Sequence, residues 1–235
     1  MSADDQKKNA AHHAVSLIKS GMTVGLGTGS TAAFALHEIR RRMDDEGLAI
    51  LGVCTSSGTE ALANKLQIPI KPLSTETRIE LYIDGADQVD HDGHIIKGGG
   101  GALLREKLVA VNSAHRVIMT DASKKVDRLG GKVFLPIEIV RFGHDTTIER
   151  IARRTKCVPH LRQREGKTFV TDEGHYIVDC EYAGGIDDAP ALSRILDAIP
   201  GVVETGLFIG LCDLLVVGSD TSVQLTEFPR KEVIL

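Results

Sequence analysis

Short apolar runs and stretches of helical periodicity alternate along the first 130 residues of the chain. Apolar residues recur at helical spacing from about residue 4 to residue 19, and Gly21 then supplies a stop signal. Three further helical patterns follow, at residues 32–43, 56–66 and 102–111. Ser56 or Ser57 is placed to cap the second of them. Runs typical of strands occupy residues 22–26, 49–54, 80–83 and 117–119. This alternation predicts an α/β fold with a doubly wound, mainly parallel sheet, whose ligands bind at the carboxyl ends of the strands.

The pattern changes after residue 131. An apolar run at residues 133–140 is followed by Thr146 and, three positions later, Glu149, a spacing that predicts a capping box and a helix to about residue 154. Two strand-like runs, a helix and a strand then follow, at residues 158–162, 168–179, 190–199 and 202–208. The order βαββαβ predicts a second, smaller α+β domain of ferredoxin-like form.

A last apolar run, residues 213–217, is expected to return to the first sheet as a strand. The main α/β domain is therefore predicted to be discontinuous, with residues 1–132 and 209–235. The small α+β domain is predicted to cover residues 133–208.

Composition and charge exclude several classes of protein. Hydrophobic residues make up 42% of the chain and charged residues 26%, values typical of folded globular domains. The 28 Lys and Arg nearly balance the 32 Asp and Glu, and the basic clusters are short, which argues against nucleic-acid binding. The longest apolar stretch, residues 207–217, contains Asp213 and is far shorter than the ~20 residues of a membrane span. The polar amino terminus has no apolar export segment, so we expect a cytoplasmic location.

The cysteines and histidines form no metal-binding pattern. There is no CxxC pair and no HExxH motif, and the four cysteines lie far apart, at Cys54, Cys157, Cys180 and Cys212. We expect buried, reduced thiols and no metal site.

The first candidate site is the glycine-rich segment 25–31, GLGTGST, between a predicted strand and a predicted helix. Glycines let backbone NH groups approach an anion, and the positive end of the helix dipole favours a phosphate. A dinucleotide is the obvious rival ligand, but no acidic residue ends the second strand, where residues 54–57 read Cys-Thr-Ser-Ser. The segment therefore fits a single sugar phosphate better, and a tight turn without a ligand stays open as an alternative.

Two further segments carry charged residues beside glycines. Asp84 and Asp87 lie three residues apart at the end of a strand, where paired carboxylates favour acid–base chemistry or merely form an Asx turn. Lys97 precedes four glycines, residues 98–101, whose NH groups are suited to an oxyanion, although a flexible linker is the alternative. Glu106 stands on the following helix as a candidate base or as an exposed ion-pair residue.

Four motifs stand in the order found in one known family: GLGTGST at 25–31, YIDGAD at 82–87, IKGGG at 96–100 with Arg-Glu-Lys at 105–107, and DASK at 121–124. On these residues the chain resembles the type A ribose-5-phosphate isomerases. The resemblance continues through residues 135–138, 198–202 and 206–208, and so covers nearly the whole chain.

The resemblance implies an aldose–ketose isomerase that interconverts D-ribose 5-phosphate and D-ribulose 5-phosphate in the non-oxidative pentose phosphate pathway. Glu106 is the implied proton acceptor, with Asp84, Asp87 and Lys97 as the other catalytic groups. The implied substrate site draws on all four motifs: Thr28, Gly29, Ser30, Thr31, Asp84, Gly85, Ala86, Asp87, Lys97, Gly98, Gly99, Gly100 and Lys124. No metal and no cofactor are implied, and the family usually forms homodimers or homotetramers.

The chain departs from the family pattern at Gln88, where Glu is common, and at Gly101, where Ala is more usual. Lys7 is a weaker candidate for a phosphate contact. Other functions remain open at this stage: a sugar-phosphate sensor without catalysis, an isomerase of another phosphosugar, or, less favoured, a nicotinamide-dependent oxidoreductase.

Overall fold

The computed structural model describes residues 2–229, which form two compact units. The first unit comprises residues 2–86, 105–125 and 210–229, and the second comprises residues 87–104 and 126–209. The first unit is thus discontinuous, and the segment 87–104 belongs to the second. The domain boundaries expected from the sequence, near residues 132 and 208, stay a prediction, and the predicted end of the main domain, 230–235, lies outside the described residues.

Within the described residues, six helices and fifteen strands follow one another in chain order: α1 (Ala3–Ser16), β1 (Thr23–Leu26), α2 (Ser30–Glu46), β2 (Leu51–Cys54), α3 (Ser57–Lys65), β3 (Leu81–Gly85), β4 (Gln88–Val89), β5 (Ile95–Ile96), α4 (Leu103–Val111), β6 (Arg116–Asp121), β7 (Leu135–Ile139), α5 (His144–Thr155), β8 (Val158–Leu161), β9 (Gln163–Arg164), β10 (Lys167–Thr168), β11 (Tyr176–Glu181), α6 (Ala189–Asp197), β12 (Val202–Thr205), β13 (Leu207–Phe208), β14 (Leu214–Gly218) and β15 (Val223–Glu227). No helix in this described part combines the length and the apolar character that crossing a membrane requires.

The first unit is built on a six-stranded sheet with the order β15-β14-β6-β3-β1-β2. All neighbouring strands are parallel except β14 and β15. The chain leaves β1 toward the edge strand β2 and then returns to the other side of β1 as β3, so the strand order reverses between β1 and β3. In doubly wound sheets the crevice at the carboxyl ends of two such strands is where ligands bind. The predicted doubly wound sheet is confirmed.

Local sequence signals explain the helix ends of this unit. Gly47 ends α2 in the left-handed conformation, with φ of 69°. Ser56 caps α3 and accepts a hydrogen bond from Thr59 N, as predicted.

Asp213, which interrupts an apolar run, is buried against the equally buried Arg116, whose N, Nε and Nη2 donate to its carboxylate at 2.8, 2.8 and 2.7 Å. This pairing compensates for burying two charges, although it contributes less net stability than its geometry suggests.

The second unit contains a four-stranded antiparallel sheet with the order β12-β7-β11-β8 and the helices α5 and α6. Numbered within the unit, the sheet order is 4-1-3-2 for a βαββαβ chain, so the predicted ferredoxin-like form is confirmed. Its core consists of inward-facing residues such as Ile137, Val178 and Leu196.

Two predictions for this unit were wrong in detail. The capping box at Thr146 is absent because α5 already begins at His144, after Gly143 in the left-handed conformation; the Thr146 hydroxyl donates to Gly143 O at 2.9 Å. The predicted strand 168–179 is split by a turn in which Gly174 N donates to Thr171 O at 2.9 Å. The polar cluster Asp172-Glu173-Gly174-His175 is itself a turn signal, so this division could have been recognised from the sequence.

Two pairings had no counterpart in the sequence-based predictions. The predicted strand 202–208 divides into β12 and β13, and β13 joins β5 and β4 in a separate three-stranded sheet. The edge strand β15 was not predicted because it is largely exposed and therefore lacks a continuous apolar pattern.

Candidate active site

The glycine loop lies at the carboxyl end of β1 and opens α2. Gly29 is the N-cap of α2, has φ of 107° and provides no side-chain capping group. The first NH groups of a helix have no partner within the helix, and a missing cap leaves them available to an anion. Ser30 is exposed and Thr31 half-buried in this first turn, so both can add hydroxyl contacts.

Thr28, in contrast, is bound within the protein. Its Oγ1 lies 2.8 Å from Thr55 Oγ1, 2.8 Å from Ser56 Oγ and 3.0 Å from Thr59 Oγ1. Its backbone N donates to Asp84 Oδ1 at 3.1 Å. The hydroxyl can donate only one bond and accept two, so these neighbours saturate it. Thr28 therefore anchors the loop to the β2–α3 turn, and its predicted contact with substrate stays a prediction.

Asp84, at the end of β3, is fully buried and ties its own strand to the glycine loop. Its Oδ1 accepts from Thr28 N and, at 2.7 Å, from Gly85 N, and its Oδ2 accepts a short hydrogen bond from the Tyr82 hydroxyl. A Cβ on Gly27 would lie 2.1 Å from the Asp84 carboxyl carbon, so only glycine fits at that position. The bond from Gly85 N is the local contact expected of an Asx turn and that from Tyr82 also lies within β3, whereas the bond from Thr28 N links β3 to the loop that follows β1.

Glu106 is not the exposed ion-pair residue that remained possible from the sequence. It lies in the first turn of α4 and is 4% exposed. Burial, and next the negative charges of Asp84 and Glu106, raise the pKa of Tyr82 well above its usual value. The first unit therefore brings two buried carboxylates close to one phenol.

Lys124 ends a short 3₁₀ turn, Ala122–Lys124, that directly follows β6. Asp121 caps this turn by accepting from Ser123 N at 2.9 Å. Because β6 is parallel to β3, its carboxyl end lies at the same edge of the sheet as Asp84. Lys124 is half-buried there, and its predicted contact with substrate stays a prediction.

The polyglycine segment of the second unit is an ordered turn and not a linker. Gly101 N donates to Gly98 O at 3.0 Å, and Asp87 Oδ2 accepts from Gly99 N at 2.8 Å. Lys97 is 3% exposed, and its Nζ lies 5.9 Å from the centre of the Phe208 ring. The NH of Gly99 is thus held by Asp87, so it is a weaker candidate for an oxyanion donor than the sequence suggested.

Arg162 binds the carbonyl groups of this turn, a role that was not predicted from the sequence. Its Nη1 donates to Gly98 O at 2.9 Å and to Gly99 O at 3.2 Å, and its Nε donates to Asp179 Oδ2 at 2.8 Å. The available signal was weak, since a single arginine between two short strands has no characteristic spacing.

The two departures from the family pattern have structural explanations. The Gln88 side-chain amide makes two bonds to one residue: Nε2 donates to Gly130 O at 3.1 Å, and Oε1 accepts from Gly130 N at 2.7 Å. An ionised Glu could make only the second. Gly101 has φ of 94°, and a Cβ there would lie 2.4 Å from Phe169 Cζ, so an Ala would be strained and would collide.

Comparison with known proteins gives consistent results. A family model described as ribose 5-phosphate isomerase A (phosphoriboisomerase A) matches residues 51–222. A ribose-5-phosphate isomerase A from Synechococcus sp. is 45% identical over 95% of this chain and 97% of its own. One from Roseiflexus sp. is 47% identical, covering 93% of this chain and 94% of its own.

Solved structures agree with the sequence matches. The ribose 5-phosphate isomerase of Plasmodium falciparum superposes with a TM-score of 0.92 at 35% identity, covering 95% of this chain and 98% of its own. A D-ribose-5-phosphate isomerase in complex with phospho-erythronic acid also superposes with a TM-score of 0.92, at 33% identity over 97% of this chain and all of its own.

The doubly wound sheet, the uncapped helix start and the buried carboxylates agree with these matches. Together they identify the protein as an isomerase with an α/β fold. Within that class the chain belongs to the ribose 5-phosphate isomerase A family, and the resemblance read from its motifs is confirmed.

Proposed function

We propose that this chain interconverts D-ribose 5-phosphate and D-ribulose 5-phosphate by proton transfer through an enediolate. Within the first unit, one observation carries the proposal. A helix start suited to a phosphate stands at the same sheet edge as Asp84, and the charges of Asp84 and Glu106 both act on one buried phenol. A protein that only bound a sugar phosphate would have no use for this pair of carboxylates.

Glu106 is the base in this mechanism. It takes the proton from C2 of the open-chain aldose, which leaves an enediolate, and returns that proton to C1, while a proton moves from the C2 hydroxyl to the former carbonyl oxygen. The net reaction neither gains nor loses atoms, so one carboxylate is sufficient for both carbon steps. General-base catalysis of this kind contributes about 10²- to 10⁴-fold.

The developing negative charge requires nearby donors. Lys97 carries a full positive charge and is buried, and a charged donor in a site with little water stabilises an oxyanion far more than it does in bulk water. Asp84 and Asp87 handle sugar ring opening and the moving hydroxyl protons. We propose these roles from the family motifs together with the burial of Asp84 and Lys97, each within its own unit.

The phosphate is anchored far from the reacting carbons. The NH groups at the start of α2 and the hydroxyls of Ser30 and Thr31 bind it, with Lys124 adding charge. Binding energy obtained at this remote group orients the reacting end of the sugar. A substrate without the phosphate is therefore expected to lose kcat as well as affinity.

The test is incubation of the purified, chelator-treated protein with D-ribose 5-phosphate, followed by a ketose assay and measurement of solvent deuterium uptake at the reacting carbon. The wild-type protein is expected to form ribulose 5-phosphate, and binding without ketose formation would instead indicate a sensor. Glu106→Gln should lower kcat and deuterium uptake by at least about 10²-fold. The matched control is Glu149→Gln, which removes an exposed carboxylate paired with Arg153 and should leave both rates unchanged.

We further propose a homodimer or homotetramer located in the cytoplasm, on the basis of the family resemblance. Light scattering after size-exclusion chromatography at micromolar protein distinguishes these two assemblies from a monomer of 25.3 kDa.

A further inference from the structure

Tyr82 is one of three tyrosines in the chain and is fully buried in β3. Its ring lies beside Gly25, which has no side chain to occupy that space. A Cβ on Gly25 of β1 would lie 2.9 Å from Tyr82 Cδ2 and 2.6 Å from Val109 Cγ1 of α4. The ring is therefore packed against β1, near the helix that carries Glu106. This packing restricts the directions in which the hydroxyl can form a hydrogen bond.

The hydroxyl of Tyr82 donates to Asp84 Oδ2 in a short hydrogen bond. The other oxygen, Oδ1, accepts from two backbone NH groups, those of Thr28 and Gly85. Hydrogen bonds to both oxygens hold the carboxylate in one orientation. Because burial and the charges of Asp84 and Glu106 raise its pKa, the phenol itself remains protonated and keeps donating.

We propose that Tyr82 is a positioning residue that holds Asp84 correctly oriented for the isomerase reaction. This inference rests on the proposed function. Tyr82 does not touch the substrate and acts only through Asp84. The phenol on one side of Asp84 and the backbone NH groups of Thr28 and Gly85 on the other fix the carboxylate in one orientation.

A purely structural role gives a different expectation. If Tyr82 served only to fill the core, phenylalanine would replace it with little effect, because the ring would still occupy the space beside Gly25. The hydroxyl contributes only through its bond to Asp84, so the removal of one oxygen atom distinguishes the two roles.

The experiment compares kcat and KM of Tyr82→Phe with those of wild type in the ketose assay. A hydrogen bond to a charged group supports a fall in kcat of about one to two orders of magnitude. KM should change by less than about threefold, because none of the proposed phosphate contacts involves Tyr82. A fall in kcat without a matching rise in KM is a change that a purely core-filling role would not produce. An unchanged kcat would overturn the proposal.

The control is Tyr182→Phe, which removes a phenol hydroxyl from the second unit and should keep wild-type kcat and KM. If wild type itself forms no ketose, the proposed function fails. If wild type is active and the two tyrosine variants behave alike, only the role of Tyr82 fails.

A second measurement covers the case in which Tyr82→Phe does not fold. In the double variant Tyr176→Phe/Tyr182→Phe, Tyr82 is the only tyrosine, so protein made with 3-fluorotyrosine has a single ¹⁹F resonance. That resonance should shift on saturation with D-ribose 5-phosphate and should not titrate as free fluorotyrosine does. A resonance that ignores substrate, or that ionises like the free amino acid, would contradict the proposal.

Discussion

The two glycine-rich turns of this protein look alike in sequence but are held in different ways. In the first unit, the hydroxyl and the backbone NH of Thr28 are bound to its own neighbours, while the start of α2 has no capping side chain. In the second unit, Gly99 N is bound to Asp87, and the carbonyls of Gly98 and Gly99 are bound to Arg162.

The difference shows where each turn can accept a ligand. The first turn keeps the NH groups of a helix start available, which suits a phosphate. The second uses the NH of Gly99 and the carbonyls of Gly98 and Gly99 to hold its shape, so fewer of its backbone groups are available to a ligand. Glycine is required in both, for close approach to Asp84 in the first and for a left-handed backbone in the second.

The largest effect is expected from Gly27→Ala in the first turn. The new Cβ would lie 2.1 Å from the Asp84 carboxyl, so either the loop or Asp84 must move. A displacement of about 1 Å at a catalytic group costs roughly 10²-fold in rate, and steady-state kinetics should show a fall in kcat of at least this size. Gly58→Ala is the control, because its Cβ meets only Ser56 Oγ at 3.8 Å, and full activity is expected.

Gly101→Ala tests the second turn. The positive φ and the contact with Phe169 together should lower the free energy of unfolding by about 3 kcal/mol, measured by urea denaturation. Gly166→Ala separates the two causes, since Gly166 also has a positive φ, 73°, but nothing lies within 4 Å of its Cβ. Equal losses in the two variants would show that Phe169 does not restrict this turn.

Thr28→Val and Thr31→Val should affect different quantities. Thr28→Val removes one of four neighbouring hydroxyls, whose other members keep bonds to Leu26 O, Gly27 O and one another, and should lower the free energy of unfolding by about 1.5 kcal/mol. Thr31→Val should leave stability unchanged and raise KM for D-ribose 5-phosphate about tenfold, because it removes the proposed hydrogen bond to the charged phosphate. If Thr28→Val raised KM without loss of stability, the anchoring role of Thr28 would be wrong.

The smallest effect concerns Gln88, next to Asp87 in the second unit. Gln88→Glu removes the donor to Gly130 O and should lower the free energy of unfolding by about 1 kcal/mol at pH 7. The folded state favours the protonated form of the new carboxyl, so its pKa is raised and the loss should shrink as pH falls toward 4. A loss that is independent of pH over this range would contradict the explanation.

Much of the fold follows from local pattern. The alternation of strands and helices, the stop at Gly47 and the cap at Ser56 come from interactions within a few residues, so sequence reasoning found them. The secondary-structure predictions failed where contacts with residues distant in the sequence determined the structure. The strand β15 is exposed at a sheet edge, and β13 leaves the predicted strand to pair with β5.

For the candidate site, too, some features were predictable from local pattern and others only from the folded structure. The motifs identified Asp84 and Glu106 as candidate residues, but their burial and their shared effect on Tyr82 became visible only in the folded chain. Arg162 was missed because its partners Asp179 and Gly98 lie 17 and 64 positions away. The role of Tyr82 was missed although Asp84 is only two positions away, because an aromatic residue in a strand is expected to fill the core.

The sequence by itself determined most of the helices and strands, which family the motifs resemble and which residue types are available for chemistry. Only the tertiary structure decided which polar groups are already bound within the protein. Thr28 meets Asp84 across 56 positions and Gln88 meets Gly130 across 42, and such pairs form only when packing brings separate elements together. Periodicity and capping act over a few residues, whereas hydrogen bonding between elements depends on the whole fold.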